Sequence, residues 1–408
     1  MGNLQATGFE KLAQQSSLYP QESLLAVKKK KGTLTIGLPK EVSLKEHRIG
    51  LTPEAVRILS ANDHEVCIEA GAGADANYSD HDYSEAGARI VSGPKEVYQA
   101  DVVLKIEPLV EQEFEFLRTG STLISALNLP SLQKDYFEKL NKARITAIGY
   151  ELLEDEDGGM PVIRAMSEIA GSTVMLIAAE YLCNTNGGKG ILLGGITGIP
   201  PTRVVILGAG TVAEYAARAA LGLGAEVRIF DKHLYRLQRL KYAVGRNIYT
   251  SIIDSDALMN AVAEADVVIG ALRPESGYMP YVVSEEMVSK MKPNSVIIDV
   301  SIDQGGCFET SKMTTLQHPV YKSLGVFHYC VPNIASRVAQ TASASLSNIF
   351  LPLLLQAGKT GGVEEMIYAH SWFLSSVYAH KGTLTNSLIA SKYNMRSKDL
   401  SLLLAARM

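Results

Sequence analysis

Cysteine is scarce in this 408-residue chain, and Cys67, Cys183, Cys307 and Cys330 lie far apart with no C-x-x-C spacing. That argues against a disulfide framework and against a zinc site, and it fits a reducing, cytoplasmic setting. The histidines (His47, His64, His81, His233, His318, His328, His370 and His380) form no metal-ligand spacing either. Neither a G-x-S-x-G elbow nor a P-loop occurs, so two common catalytic signatures are missing. Charge of one sign is also lacking. A net charge of −4 offers no broad basic surface, so neither nucleic acid nor an anionic membrane is expected as a partner. No apolar run approaches the roughly 18 residues of a membrane helix, and none is expected. The N-terminus has no apolar h-region, so no signal peptide is expected. The one basic run, 28–31, follows a polar leader and reads as a solvated linker. Residues 1–32 are expected to be an N-terminal extension, either frayed or reaching onto a neighbouring subunit.

The length suits two domains, and the strongest signal lies inside the chain, at 203–231. An apolar strand, 204–207, runs into Gly208-Ala209-Gly210-Thr211-Val212-Ala213, which fits G-x-G-x-x-A. A helix-period segment and a second strand, 226–230, follow and end at Asp231. In this pattern the first glycine permits the tight turn and the second lets backbone N–H groups approach a pyrophosphate. The small third residue lets helix and strand pack closely. Asp231, 23 residues after Gly208, is placed to bind ribose hydroxyls and to repel a 2′-phosphate, favouring NAD over NADP. Lys232, His233 and Arg236 close by leave some tolerance of NADP open. A second G-x-G-x-x-A, at 71–76, precedes turn residues rather than a helical period and reads as a loop. The glycine-rich run 187–198 reads as a hinge or tight loop, since no Lys-Ser/Thr ending follows.

Strand-like and helix-like segments alternate from 33 to 150 and again after Asp231, which predicts parallel sheets flanked by helices. The expected fold is α/β, with two Rossmann-like domains, doubly wound parallel sheets and a cleft between them. The expected division is 33–165 plus 340–408 for a substrate domain and 166–339 for the dinucleotide domain. A buried helix is expected over 166–183, starting at Ser167, another from 339 to 358, and helix-like segments from there to 408.

In open α/β sheets ligands bind beyond the carboxyl ends of the strands. That rule selects Asp303, which follows a strand and precedes Gln304-Gly305-Gly306; a locally satisfied turn aspartate is the alternative. Lys105 ends the strand 101–106 among apolar neighbours. It would suit a carboxylate or carbonyl ligand, or an ion pair with Glu107. Arg48, just before a helix, could grip a carboxylate with two parallel bonds or be exposed.

Several segments together resemble the alanine dehydrogenase and proton-translocating transhydrogenase family. They are GLPKEVSLKEHRIGLTPEAV (37–56), EAGAGADANYSDHDYSEAGA (69–88), DVVLKIEP, MSEIAG (166–171), GGKGILLGGITGIPP (187–201), the fingerprint itself, MKPNSVIIDVSIDQGGCFE (291–309) and HYCVPNIAS (328–336). The likeness covers roughly 33–390, and IDQGGCFE favours the alanine dehydrogenase side. The resemblance implies oxidation of an amino acid at Cα by NAD, giving a 2-oxo acid and ammonia, in a cytoplasmic homo-oligomer, a hexamer or dimer. By motif it implies that Arg48 and Lys105 hold substrate and that Asp303 is catalytic. It places Ser167, Gly208, Gly210, Thr211, Val212, Asp231, Arg236, Leu272, Val300 and Asn333 against the cofactor, with no metal.

One position departs from the family. Its histidine acid/base falls in an L-H-L segment, and this chain has Leu127-Asn128-Leu129. Asparagine can orient a carbonyl but cannot exchange a proton near neutral pH. Three readings stay open: Asp303 or a lysine of lowered pKa such as Lys105 moves the proton, the substrate differs, or the chain binds nucleotide without dehydrogenation. The segment DVVLKIEP is also one residue shorter than the usual LKxKEP form.

Overall fold

A computed structural model of the chain describes residues 32–43, 46–127, 132–273 and 281–405. The first sheet begins with β1 (Thr35–Leu38), β2 (Glu65–Glu69), β3 (Arg89–Val91), β4 (Val102–Leu104), β5 (Thr122–Ser125) and β6 (Thr146–Gly149). The second contains β7 (Arg203–Leu207), β8 (Glu226–Asp231), β9 (Tyr249–Ile252), β10 (Val267–Gly270), β11 (Val296–Asp299), β12 (Val320–Ser323) and β13 (Val326–Tyr329). The chain then returns to the first sheet with β14 (Val377–His380) and β15 (Thr383–Leu384).

Strand order is β15-β14-β6-β5-β4-β1-β2-β3 in one sheet and β12-β13-β11-β10-β7-β8-β9 in the other. The parallel part of each therefore follows the doubly wound order 3-2-1-4-5-6, with a reversal between β1 and β4 in the first and between β7 and β10 in the second. Only the last strands break the rule: β14 runs antiparallel to β6, β15 to β14, and β12 to β13. The strands β14 and β15 were not expected, since the segment after 358 reads as helical.

Val204–Leu207, Val267–Ile269 and Val296–Ile298 are wholly inaccessible, because helices cover both faces of a parallel sheet. The Pro161–Leu182 helix joins the two halves. Val162 packs into the core of the first sheet, whereas Ala170 and the residues after it pack into that of the second. It starts at Pro161, not at Ser167. Proline at the first helical position has no N–H to leave unpaired and is preset for the turn, so Ser167 lies inside the helix.

The Ala339–Thr360 helix carries the chain back, packing Leu346, Phe350, Leu354 and Ala357 into the first core. Contrary to the sequence expectation, two helices, Pro161–Leu182 and Ile334–Thr360, are long and apolar enough to cross a membrane by length and composition. Their apolar faces instead supply the cores just described.

Candidate active site

The reversal between β7 and β10 opens the dinucleotide turn. Gly208 has φ +109°, and a Cβ there would lie 2.4 Å from the Ala271 carbonyl oxygen, at the end of β10. No other residue fits. Gly210, just before the Thr211–Gly222 helix, has nothing within 4 Å of a Cβ position, so the space before that helix N-terminus is open. A cradle of this kind fits a pyrophosphate, whose charge the helix N-terminus favours.

Asp231, at the end of β8 and 1% exposed, accepts from the N–H of Ala209 and of His233, each at 2.8 Å. It holds the turn closed, and ribose hydroxyls would use its remaining lone pairs. Arg239 donates to the Ala209 carbonyl at 3.0 Å and pairs with Glu214 at 2.9 Å. The half-buried Arg236 lies over the Tyr235 ring. Against this unit packs the Pro161–Leu182 helix, so tightly that a Cβ on Gly171 would come within 2.4 Å of the Val212 carbonyl oxygen.

In front of the turn lies a cleft of about 320 Å³. Ser167, Val212, Leu272, Val300, Asp303 and Asn333 line it, together with Tyr150, Glu151, Met166 and Arg273. Strand ends, together with the Pro161–Leu182 and Thr211–Gly222 helices, thus bring six of the expected site residues to one space. Asp303 lies in the Ile302–Gln304 turn after β11. It is exposed toward the cleft, yet surrounding protein pushes its carboxyl above the usual range. The N–H groups of Asp303 and Gln304 and the charge of Arg273 pull the other way and lose. Asp299 next to it is fully buried and supports the loop, accepting from Ser301 N, Cys307 N and Ser311 Oγ at 3.1, 2.9 and 2.6 Å.

The reversal between β1 and β4 gathers the charges of the first sheet. After β1, Glu41 accepts from Lys105 Nζ at 2.6 Å and from Ile106 N at 2.6 Å. Glu113 is 3.5 Å from the same ammonium. Burial pushes the Glu41 carboxyl up to about 7, against the pull of Lys105. Arg48 is gripped by Glu46 through Nε to Oε1 at 2.7 Å and Nη2 to Oε2 at 2.6 Å, and its Nη1 meets Met166 Sδ at 3.2 Å. Glu46 in turn accepts from Asn333 Nδ2 at 2.6 Å.

Two expectations change. Lys105 does not have the lowered pKa expected of it: burial would lower it, but the Glu41 and Glu113 carboxylates outweigh burial and raise it. Its ion-pair partners are these two, rather than Glu107, and it does not line the cleft. Arg48 is neither exposed nor open on all sides; its side-on face is taken by Glu46, leaving Nη1 toward the cleft wall. Asn128 lies outside the described residues. Sequence reasoning missed Glu41, Glu46 and Glu113. The only signal was a carboxylate two residues before Arg48, and the others meet Lys105 only through the fold.

Two family models match, "Alanine dehydrogenase/PNT, N-terminal domain" over residues 37–170 and "Alanine dehydrogenase/PNT, C-terminal domain" over 174–387. The chain is 38% identical over 363 residues to an alanine dehydrogenase of Halomonas elongata, covering 89% of this chain and 97% of that one. It is 36% identical over 368 residues to alanine dehydrogenase 2 of Staphylococcus aureus strain USA300, covering 90% and 98%. A solved L-alanine dehydrogenase superposes with a TM-score of 0.83 at 35% identity, covering 88% of this chain and 99% of that one.

Proposed function

This chain belongs to the alanine dehydrogenase/PNT family, and we propose that it catalyses the NAD-dependent oxidative deamination of L-alanine or a similar small amino acid, and the reverse reductive amination. The products are the 2-oxo acid, ammonia, NADH and a proton, with water consumed. The observation that carries this reading is the shared cleft. Asp303, Leu272 and Val300 reach it from one doubly wound sheet, and Arg48 meets its wall at Met166 from the other.

NAD, when bound, supplies the hydride acceptor. The glycine turn and the helix N-terminus would hold its pyrophosphate, with Ser167, Arg236 and Asn333 as further contacts. Arg48 presents Nη1 to the substrate carboxylate, its guanidinium steadied by Glu46. Asp303, its carboxyl already raised by its surroundings, takes the proton released at the substrate nitrogen or carbinol oxygen. Asn128 orients the substrate. Lys105 acts by holding Glu41 and the loop after β1 rather than by moving a proton. Residues 33–165 with 340–408 form the substrate domain and 166–339 the cofactor domain of a cytoplasmic homo-oligomer, a hexamer or dimer, that engages neither nucleic acid nor membrane.

NADH formation against a panel of amino acids at alkaline pH tests the reading. Alanine turnover abolished by Asp303→Asn supports it. Asn128 favours two competing readings, a nucleotide-binding homologue without dehydrogenase activity and a dehydrogenase of another substrate. NAD binding with no turnover of any amino acid selects the homologue, and turnover of a different amino acid selects the other dehydrogenase.

A further inference from the structure

Glu46 sits where the two halves of the site meet. Its Oε1 accepts from Arg48 Nε and N at 2.7 and 2.9 Å and from Ser336 Oγ at 3.3 Å. Its Oε2 accepts from Arg48 Nη2 and from Asn333 Nδ2, both at 2.6 Å. Glu46 and Arg48 are only 2% and 8% exposed, so these bonds act with little competition from water. Asn333 lines the cleft and adopts φ +60°, the left-handed region, where the chain leaves β13 and turns toward the Ala339–Thr360 helix. That segment carries the backbone from the second sheet to the core of the first. A third bond fastens it to the same loop: His47 N donates to Ser336 Oγ at 2.8 Å.

One carboxylate therefore sets the orientation of two side chains from opposite halves of the molecule. Arg48 is held side-on, so the N–H groups left over are those that face Met166 on the cleft wall. Asn333 is held by one amide hydrogen, which leaves its carbonyl oxygen and second hydrogen uncommitted to Glu46.

We propose that Glu46 is a positioning residue that couples the cofactor and substrate subsites. Nucleotide that orders Asn333 fixes Glu46 and, through it, the guanidinium of Arg48, so the substrate carboxylate meets a fork already oriented. By linkage the coupling is mutual, and a 2-oxo acid on Arg48 tightens nucleotide binding by the same factor. The proposal rests on the dehydrogenase reading for the identity of its ligands.

NADH fluorescence titrations with and without saturating pyruvate, ammonium omitted, measure the coupling directly. For the unaltered protein, pyruvate is expected to tighten NADH by about five-fold or more, the lower end of ordinary site–site coupling. Glu46→Gln keeps the shape but turns one acceptor into a donor facing donors, and the factor should fall below about two-fold. Asn333→Gly tolerates the same backbone angle and cuts the link from the other end. It should lose the coupling while pyruvate binding to the nucleotide-free protein, read by calorimetry, persists. A merely structural glutamate would weaken both ligands without changing their ratio.

Undiminished coupling in both variants, or no coupling in the unaltered protein, overturns the proposal. Adding ammonium separates the two ideas. Coupling without reductive amination of pyruvate upholds the link and removes alanine as the substrate. Amination with independent binding does the opposite.

Discussion

Glu46 and Arg48 face each other through two parallel hydrogen bonds, 2.7 and 2.6 Å long, with both side chains withdrawn from solvent. A guanidinium stays charged, so the carboxylate is the partner that titrates. Burial alone would raise its carboxyl, but Arg48 and the surrounding donors hold it below its ordinary 4.5. A depressed folded-state value means that the pair's stabilisation is complete above about pH 4.5 and is lost as pH falls through the folded value. Urea unfolding of the unaltered protein and of Glu46→Gln should differ by about 3 kcal/mol near neutral pH, the scale of a broken buried pair. The gap should stay flat down to about pH 5 and narrow below it. A constant gap through acid pH would assign the stability to packing instead.

Asp303 is expected to exchange the proton in the cleft. Its carboxyl is raised by surrounding protein yet opens to the cleft. Asp303→Asn keeps the shape and most hydrogen bonds but cannot accept a proton. Steady-state rates should drop by about 10²–10⁴-fold, the usual worth of a positioned acid–base group. NADH affinity, read by fluorescence, should change little. Equal loss of rate and NADH affinity would instead make Asp303 a loop-shaping residue.

The two fingerprint glycines should fail in different ways. Gly208→Ala forces a Cβ within 2.4 Å of a backbone oxygen at φ +109°, so the thermal midpoint should fall along with NADH binding. Gly210→Ala meets no protein atom within 4 Å, so the midpoint should hold while the methyl intrudes where a pyrophosphate would lie. Thermal melts paired with NADH titrations separate the two. Tight NADH binding by Gly210→Ala would place the pyrophosphate elsewhere.

Much of this was legible in the sequence, and for a physical reason. Strands buried on both faces, such as Val204–Leu207 and Val296–Ile298, must be continuous apolar runs, and turns that approach a ligand must be glycine. The edges were not legible. The strands β9 and β12 are half-exposed, so they carry no periodic apolar signal. The C-terminal strands β14 and β15 owe their place to pairing with β6, far away in the chain. The site divided along the same line. Asp303 and the glycine turn are local to strand ends, whereas Glu41 reaches Lys105 across 64 residues and Glu46 reaches Asn333 across 287. Contacts at that separation leave no spacing to read.

Asp231 is expected to separate the two nicotinamide dinucleotides. Its carboxylate is already committed to Ala209 and His233, so it should both close the turn and repel a 2′-phosphate. NADH is expected to bind more tightly than NADPH, and Asp231→Ser should narrow the ratio while lowering the thermal midpoint. Comparable binding of the two by the unaltered protein would show that the carboxylate leaves the 2′ position unguarded.

Lys105 lets a structural role be told from a substrate-binding one. Its ammonium is 2.6 Å from Glu41 and 3.5 Å from Glu113, with all three side chains buried. Lys105→Met would strand both carboxylates, and breaking a buried pair costs about 3–5 kcal/mol. The second change Glu41→Gln removes one stranded charge. Lys105→Met/Glu41→Gln should therefore be more stable than Lys105→Met alone, although it carries an additional substitution. Chemical unfolding of the two variants gives the answer without any assay of turnover. A lysine whose work is on the substrate predicts another pattern: stability close to the unaltered protein in Lys105→Met, a raised KM for the amino acid, and no recovery from the second change. The buried carboxylates on both sides of the ammonium favour the first outcome, because each of them needs that charge whether or not a ligand is present.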